Sequence, residues 1–324
     1  MPAQEKSIKQ VLRDAAVAAT AAPSIFNTQP WRWQADGTTL RLWADRERQL
    51  MVADPDGRLL TISCGVALHH ARLALAASGH EVSAKRLPDP ADPDLLATIE
   101  LAGAHQPTAQ QLRLHAAIAR RRTDRRAFGP EPVPAEIAHE LVDAAEAQGA
   151  HLHLVRRADI ARLAFAAAQA AALQLADSDY RKELIRWTHR PTWSGDGVPT
   201  ATAVQAAPRA VPVRDFAPFG GPSMSAGPQT DNGALYAVVF TDEDSPASWL
   251  RSGEALSAAL LTATAHGLGT APMSDVTELT VTRERLRHLL SDIGVPQLAV
   301  RIGHAPAGEP PPVPRRAHDQ IIYP

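Results

Sequence analysis

The segment Ala22-Pro-Ser-Ile-Phe-Asn-Thr-Gln-Pro-Trp-Arg-Trp33 is a polar turn between two prolines that runs directly into aromatic residues. A second unusual segment, Ala119-Arg-Arg-Arg-Thr-Asp-Arg-Arg-Ala-Phe128, packs five arginines into seven residues around one threonine. The two segments lie far apart in the chain, and neither occurs a second time. The chain can therefore build one complete site from such parts, and only if folding brings the two segments together.

The composition is that of an ordinary globular protein. The chain has 324 residues, of which 45% are hydrophobic and 21% charged, and its formal net charge is −2. This weak charge gives no overall field that would attract nucleic acid or anionic lipid, so recognition of an anion must be local. The single cysteine, Cys64, and an N-terminus without an apolar signal region predict a cytoplasmic protein without disulfides. The longest apolar stretches are interrupted by Arg, His or Asp, so no membrane span is predicted.

Hydrophobic periodicity predicts a mixture of helices and strands. Apolar residues recur with helical spacing in residues 7–21, and Leu40-Arg-Leu-Trp43 alternates as a half-buried strand does. The predicted helices are residues 7–21, 62–78, 110–121, 134–148, 159–176 and 252–266. The predicted strands are residues 40–43, 97–101, 151–155, 235–240 and 298–302.

An internal repeat is visible when the sequence is shifted by 188 residues. Gly65-Val-Ala-Leu68 then falls on Gly253-Glu-Ala-Leu256, and a glycine follows each helix at the same distance. Glycine at the C-terminal end of a helix has a backbone reason, so its recurrence strengthens a match that alanine richness alone leaves weak. We therefore predict two copies of one α+β unit folded against each other, residues 1–115 and 116–324.

Residues 188–233 interrupt this pattern with seven prolines and six glycines. Irregular segments of this length are uncommon inside a compact chain and usually form a lid, a binding loop or disorder. Four aromatic residues within or beside the segment argue against simple disorder: Trp187, Trp193, Phe216 and Phe219. Two interpretations stay open, a lid over a flat aromatic ligand and an arm that packs on the other half of the protein.

The arginine-rich segment favours a phosphate site. A dianionic phosphate requires several N–H donors at fixed geometry, and each guanidinium group supplies a planar fork of such donors. The hydroxyl of Thr123 lies between Arg121 and Arg125 and adds a neutral donor. The structural alternative is a solvated basic turn that pairs with nearby acids. Nucleic acid binding is disfavoured, because the segment is isolated in a weakly acidic chain.

Other segments offer further contacts to a ligand. The two prolines of residues 22–33 stiffen the backbone, so the polar side chains between them either contact the rim of a flat heterocycle or simply cap a turn. Gly267-Leu-Gly-Thr-Ala-Pro-Met-Ser274 has glycine where backbone can approach a ligand closely. Arg315 and Arg316 form either a second phosphate clamp or exposed charge. His69 and His70 are adjacent and diverge on a helix, so no metal site is predicted.

These segments resemble the motifs of FMN-dependent nitroreductases. Residues 22–33 resemble the family's Pro-Ser-x-x-Asn-x-Gln-Pro-Trp signature, and Arg121-Arg-Thr-Asp-Arg125 resembles its Arg-x-Ser phosphate motif with Thr for Ser. Residues 267–274 resemble its Gly-Leu-Gly segment, and Pro314-Arg-Arg316 its tail arginine. The duplicated layout resembles the Acg-like branch, a fused pair that imitates the usual homodimer. The resemblance implies a nitroreductase-like α+β fold built as a single-chain pseudo-dimer.

The resemblance also implies one FMN site between the two halves. In the family each of two sites uses both subunits, whereas here each motif is present once, so the second site is predicted to be lost. The cofactor-binding residues carried over from the family are Pro23, Ser24, Ile25, Asn27, Arg121, Arg122, Thr123, Arg125, Pro272, Met273, Ser274, Arg315 and Arg316. No catalytic side chain is predicted, because a flavin itself carries the redox chemistry.

Two functions from different classes agree with these residues. One is an oxidoreductase that takes hydride from NAD(P)H onto FMN and passes it to a nitro compound or a quinone. The other is an FMN-binding protein that stores or sequesters the flavin beneath residues 188–233 with little turnover. The fusion of two halves is compatible with a monomer.

Overall fold

Two β-sheets and a central pair of helices form the framework of the protein. The computed structural model describes residues 7–205, 207–221 and 223–323. The helices are α1 (Ile8–Ala19), α2 (Arg58–Ala77), α3 (Ala109–Arg120), α4 (Ala135–Glu146), α5 (Ile160–Ala176), α6 (Ser178–Thr188), α7 (Pro246–Ala265), α8 (Asp275–Glu278) and α9 (Thr280–Leu289). The strands are β1 (Trp31–Asp36), β2 (Thr39–Ala44), β3 (His80–Arg86), β4 (Leu95–Ala104), β5 (His151–Leu154), β6 (Leu235–Thr241), β7 (Gly269–Met273), β8 (Val295–Gly303) and β9 (Ile322–Tyr323).

The two sheets have corresponding strand orders. The first sheet runs β3-β4-β2-β1-β9 and the second β7-β8-β6-β5. Apart from the C-terminal strand β9, which pairs with β1 in parallel, all neighbouring strands are antiparallel. Because β9 joins the first sheet, the proline-rich tail runs back from the second sheet to the first half of the protein. This course places residues 314–316 beside the turn that precedes β1.

The helices α2 and α7 cross at two glycines. A Cβ atom on Gly65 would overlap the carbonyl oxygen of Leu250, and one on Gly253 would overlap that of Ile62. The close approach lets apolar side chains of both helices join one core with residues of both sheets. The helix α2 has the length and hydropathy of a membrane span, but 89% of that stretch is buried inside the protein. Such burial is typical of the central helix of a core.

We expect Gly253→Ala to lower the free energy of unfolding by about 3 kcal/mol, the upper range for overpacking a tight core. The new methyl group would meet backbone atoms of α2, which cannot move without separating the two helices. Gly103→Ala is the matched control, because the nearest atom to its added Cβ is a side-chain oxygen of Glu81 at 3.7 Å. Urea unfolding measures both variants, and an unchanged midpoint for Gly253→Ala would contradict the close crossing.

The α+β fold class is confirmed, and every predicted helix and strand is present with shifted ends. The hydrophobic pattern missed the strands β1, β3, β7 and β9 and the helices α6, α8 and α9. The edge strand β3 alternates between half-buried and exposed residues, so it lacks an apolar face. The predicted boundary between residues 115 and 116 falls inside the continuous helix α3.

Residues 188–233 begin at the last residue of α6 and lead into β6. In its described part this segment has two short 3₁₀ turns, Thr192–Ser194 and Thr200–Thr202, and otherwise irregular backbone. Phe216 is buried, whereas Trp193 and Phe219 are exposed. At the end of the segment, Asp231 forms a fully buried ion pair with Arg301 of β8. The segment is therefore anchored to the second sheet and turns one of its aromatic side chains inward.

Candidate functional site

A cavity of about 80 Å³ lies where the two motif segments meet. Its wall contains residues of the turn before β1, of the segment after α3 and of the end of β7. Seven of the predicted cofactor-binding residues line it: Pro23, Ser24, Ile25, Thr123, Arg125, Pro272 and Ser274. Folding thus brings three segments that are remote in sequence to one place.

Backbone pairing with β7 positions the arginine-rich segment. Thr123 forms an isolated parallel bridge with Thr270, and the N–H of Asp124 donates to the carbonyl oxygen of Thr270 at 2.9 Å. Because α3 ends at Arg120, the following residues are free to run beside the strand. Thr123 and Arg125 therefore face the cavity from the same side as Pro272.

The turn before β1 has a strained backbone. Phe26, Asn27 and Gln29 have φ angles of 45°, 54° and 50°, which lie in the left-handed region. Each such residue other than glycine costs about 1–2 kcal/mol, so the surrounding structure must hold it. The hydroxyl of Ser24 accepts the N–H of Gln29 at 2.9 Å, and the hydroxyl of Ser63 on α2 accepts that of Ile25 at 3.1 Å. These bonds keep the turn against α2, at the cavity wall.

Three arginines, Arg121, Arg122 and Arg315, form a cluster beside the cavity. Arg121 is 3% exposed, its Nη1 lies 3.4 Å from the hydroxyl of Thr123, and its Nε has no hydrogen-bond partner among the described residues. Burial lowers the pKa of Arg121 to about 9, with the charges of Arg315 and Arg122 adding to the effect. Burial likewise lowers the pKa of Arg315 to about 10. Within the described residues these three guanidinium groups form no ion pair with a carboxylate, so the cluster suits an anion.

Six predicted residues do not line the cavity: Asn27, Arg121, Arg122, Met273, Arg315 and Arg316. Arg121 and Arg315 belong to the arginine cluster, which lies at the edge of the cavity. Arg122 donates to the carbonyl oxygens of Ala119 and Arg121, and Met273 is a core residue. Arg316 lies 3.5 Å from the carboxylate of Asp45, which partly neutralises it. The tail thus brings one arginine to the cluster and turns the next one away.

Sequence reasoning missed the apolar wall of the cavity. The lining residues it did not select are Phe26, Leu59, Ile62, Ser63, Val66, Phe216, Leu256 and Leu298. Four of them lie at positions 59, 62, 63 and 66, which form one face of α2. A buried apolar helix face looks the same in sequence whether it packs on a core or on a ligand, so no signal distinguishes these residues. Phe216 comes from the irregular segment, where only its aromatic character marked it.

Aromatic and cationic groups cover one side of the cavity. The rings of Phe26 and Phe216 meet edge to face with centroids 5.7 Å apart. The guanidinium of Arg125 lies 4.5 Å from the ring centroid of Phe216, and that of Arg214 lies 4.8 Å from the ring of Phe26. Arg214 in turn forms a buried ion pair with Glu278. Residues 214–216 of the irregular segment are therefore held over the cavity by stacking and charge.

The buried carboxyl group of Asp275 should make stability depend on pH. Burial raises its pKa to about 6, and Glu278 adds to this while Arg214 opposes it. A raised pKa means that the folded protein favours the protonated form of Asp275. The contribution of this carboxyl group to the free energy of unfolding is therefore full below pH 4 and is lost as the pH rises through 6. We expect Asp275→Asn to remove a decline of about 3 kcal/mol between pH 4 and 7.

Unfolding free energies of this variant and of the wild type, measured from pH 4 to 7, check the effect of Asp275. Asp56→Asn serves as the control because Asp56 is exposed. Parallel pH profiles for wild type and Asp275→Asn would show that the buried carboxyl does not titrate in this range.

A buried ion-pair network surrounds Glu254 on α7. The residue 188 positions after Val66 is Glu254, and Ser274 lies 188 positions after Arg86. Glu254 is fully buried and accepts from Nη1 of Arg72 at 2.5 Å and from Nε of Arg86 at 2.6 Å. Charged side chains thus take the positions that correspond to a small hydroxyl and an apolar residue in the cavity wall.

Comparisons with known proteins identify the family. The sequence model of the nitroreductase family matches residues 118–304. The chain is 40% identical over 317 residues to the Mycobacterium tuberculosis protein named "Putative NAD(P)H nitroreductase Rv3131", which covers 97% of this chain and 91% of that protein. This chain belongs to the nitroreductase family. It is also 35% identical over 317 residues to "Putative NAD(P)H nitroreductase acg" of the same organism, over 97% of this chain and 95% of that protein. The predicted resemblance to the Acg-like branch is thereby confirmed.

Solved structures of nitroreductases resemble this nitroreductase family member at low sequence identity. The Desulfitobacterium hafniense nitroreductase with bound FMN is 17% identical, with a TM-score of 0.42, over 65% of this chain and 97% of that one. The FMN-dependent nitroreductase NfnB of Mycobacterium smegmatis, solved in complex with NADPH, is 18% identical, with a TM-score of 0.36, over 60% of this chain and 87% of that one.

Proposed function

We propose that this nitroreductase family member binds one FMN, with the phosphate at the arginine cluster and the ring at the cavity. The cluster carries the proposal, because Arg121 is buried and Arg121, Arg122 and Arg315 lie together without an acidic partner in the described residues. An unpaired charge inside a protein costs several kilocalories per mole, and a bound dianion would offset that cost. The Nε of Arg121, which is unpaired among the described residues, and the hydroxyl of Thr123 are donors of the kind that a phosphate group requires.

The size of the cavity limits how a flavin enters. At about 80 Å³ it is smaller than the pockets of about 300–1,000 Å³ that hold organic ligands. A flavin ring therefore needs one wall to move outward. Phe216 belongs to the long irregular segment that leads into β6, so we propose that this wall moves and afterwards covers the ring.

We further propose that the chain is a pseudo-dimer of two related halves. The corresponding strand orders of the two sheets support this, as does the crossing of α2 and α7 at Gly65 and Gly253. His69 and Ser257, again 188 residues apart, share a hydrogen bond of 2.8 Å. Contacts between equivalent residues are expected on a twofold axis. In this proposal the halves divide just before α3, and the network around Glu254 accounts for a single flavin site.

We infer that the bound flavin serves an NAD(P)H-dependent oxidoreductase acting on nitro compounds or quinones. The names of the two mycobacterial relatives support this assignment. A bound flavin would supply hydride transfer, and the protein would supply orientation and a dry environment. Arg121, Arg315 and Thr123 would fix the phosphate, and the apolar face of α2 would exclude water from the ring.

The cover over the cavity favours a second candidate, storage of FMN with little turnover. Phe216 is 8% exposed and contacts both Phe26 and Arg125, so it obstructs the approach of a second large molecule. Hydride transfer requires the donor to come within about 3–3.5 Å of its acceptor. A cover that stays closed would prevent this.

Titration with FMN tests the binding of FMN, which both proposed functions require. Quenching of FMN fluorescence at one FMN per chain is the expected result, and the absence of any binding would refute both functions. Anaerobic mixing of the FMN-loaded protein with NADPH or NADH then distinguishes them. Bleaching of the flavin absorbance within seconds to minutes supports the oxidoreductase, and a stable oxidised spectrum supports storage.

A further inference from the structure

The side chain of Asn27 is fully engaged by other parts of the protein. Its Nδ2 donates to the carbonyl oxygens of Gly197 and Pro314, each at 3.0 Å, and its Oδ1 accepts from Nη1 of Arg315 at 2.8 Å. Asn27 is 7% exposed and does not line the cavity. Both N–H groups of its amide are thus used within the protein, although the family resemblance implies a contact with the cofactor.

Arg315 is oriented by neutral oxygen atoms. Besides Asn27, its guanidinium donates to the carbonyl oxygens of Ala21 at 3.1 Å and of Pro314 at 3.2 Å. Carbonyl and amide oxygens fix the direction of a guanidinium without cancelling its charge, whereas a carboxylate would cancel it. The hydrogen bonds therefore hold Arg315 next to Arg121 in a form that can still bind an anion.

Gln29 ties the same tail to the irregular segment. Its Nε2 donates to the carbonyl oxygen of Gly195 at 2.8 Å, and its Oε1 accepts the N–H of Arg316 at 3.0 Å. Gly195 has a φ angle of 69°, and a Cβ atom there would overlap the carbonyl oxygen of Arg315. The tail is thus clamped between the turn before β1 and residues 195–197. Arg315 depends on this clamp, because it lies in a tail without regular structure.

We infer that Asn27 is a positioning residue that holds Arg315 in the anion site and thereby makes the protein prefer a phosphorylated flavin to an unphosphorylated one. This inference rests on the proposed FMN site. Asn27 acts through the phosphate end of the ligand, because its amide is bonded to the tail and to Gly197 and is absent from the cavity wall. Its loss should therefore change the affinity for FMN and leave that for riboflavin, which has the same ring without the phosphate, unchanged.

The test uses Asn27→Gly, because glycine adopts the left-handed φ angle of 54° without strain. We expect the FMN dissociation constant to rise roughly 10-fold or more, as for the loss of a charge-assisted hydrogen bond, and the riboflavin constant to change less than about twofold. Arg315→Gln should produce a similar loss. Adding Asn27→Gly to Arg315→Gln should lower the FMN affinity no further, since both changes remove the same contact of Arg315 with the phosphate. Asn232→Gly, at an exposed asparagine, is the matched control.

Asn27→Asp provides a second variant of nearly the same shape, in case Asn27→Gly does not fold. Its carboxylate would pair with Arg315 and neutralise it. The affinity for FMN should therefore fall at least as much as in Asn27→Gly, and the affinity for riboflavin should again be unchanged. Equal losses for FMN and riboflavin would overturn the inference, because they would place Asn27 at the ring. Additive losses in the double variant would also overturn it. Failure of the wild-type protein to bind either flavin would instead refute the proposed function.

Discussion

Replacing Arg121 by methionine should weaken FMN binding roughly 10- to 100-fold and at the same time stabilise the flavin-free protein. The two effects have one cause. Arg121 is 3% exposed, its Nε has no hydrogen-bond partner in the part of the chain that the structure describes, and its neighbours Arg315 and Arg122 carry the same charge. A dianionic phosphate would compensate the charge, so its removal should cost affinity. In the flavin-free protein the buried charge lowers the stability, and methionine fills a similar volume without carrying a charge.

The pKa of Arg121 determines the direction in which Arg121→Met changes the stability. Burial and the neighbouring arginines lower the pKa of Arg121 from 12.5 to about 9. Folding therefore disfavours the charged form, and the resulting loss of stability is full below pH 9 and fades as the pH rises towards 12.5. We expect the Arg121→Met protein to be more stable than the flavin-free wild type by up to about 5 kcal/mol at pH 7, with a smaller difference above pH 9.

Thermal unfolding with and without FMN measures both effects. FMN should raise the melting temperature of the wild-type protein, and the same FMN concentration should raise that of the Arg121→Met protein much less. Arg120→Met is the matched control, because Arg120 is the exposed neighbour at the end of α3. An Arg121→Met protein that retains wild-type FMN affinity would refute the assignment of the phosphate site.

Replacing Phe216 by alanine should speed reduction of the bound flavin by NADPH at least about tenfold. The ring of Phe216 lines the cavity and lies against Phe26 and the guanidinium of Arg125. Its removal opens one side of the small cavity to a hydride donor, which must come within about 3–3.5 Å of the acceptor. A tenfold change corresponds to a barrier lower by about 1.4 kcal/mol, which is modest for the removal of an obstructing side chain. The variant should also lose about 3 kcal/mol of stability, because a buried phenylalanine leaves a cavity.

Stopped-flow reduction under anaerobic conditions measures the rate, after circular dichroism has shown that the variant is folded. Phe219→Ala is the matched control, since Phe219 lies three residues further along the same segment and is 57% exposed. If Phe216→Ala and Phe219→Ala are both reduced at the wild-type rate, the side chain of Phe216 does not limit access to the flavin.

Local patterns explain why much of the fold could be predicted. Helices such as α1 and α4 present one apolar face to the core, and strands such as β2 alternate, so periodicity reports them directly. The strand β7 escaped prediction because its sequence, Gly-Thr-Ala-Pro-Met, has no alternation and only one residue enriched in strands, Thr270. It forms a strand because it pairs with β8, a contact that the local sequence does not encode.

The sequence by itself determined the family, the α+β class and the single occurrence of each motif, because these depend on residue identity and on spacing along the chain. Only the tertiary structure decided what each motif residue does. Asn27 and Arg316 belong to motifs, yet the return of the tail along β1 directs Asn27 to Arg315 and Arg316 to Asp45. Phe216 lies in no motif, yet the anchoring of the irregular segment places it at the cavity. Long-range packing sets these side-chain partners, because a residue's neighbours in space come from parts of the chain that its local sequence does not specify.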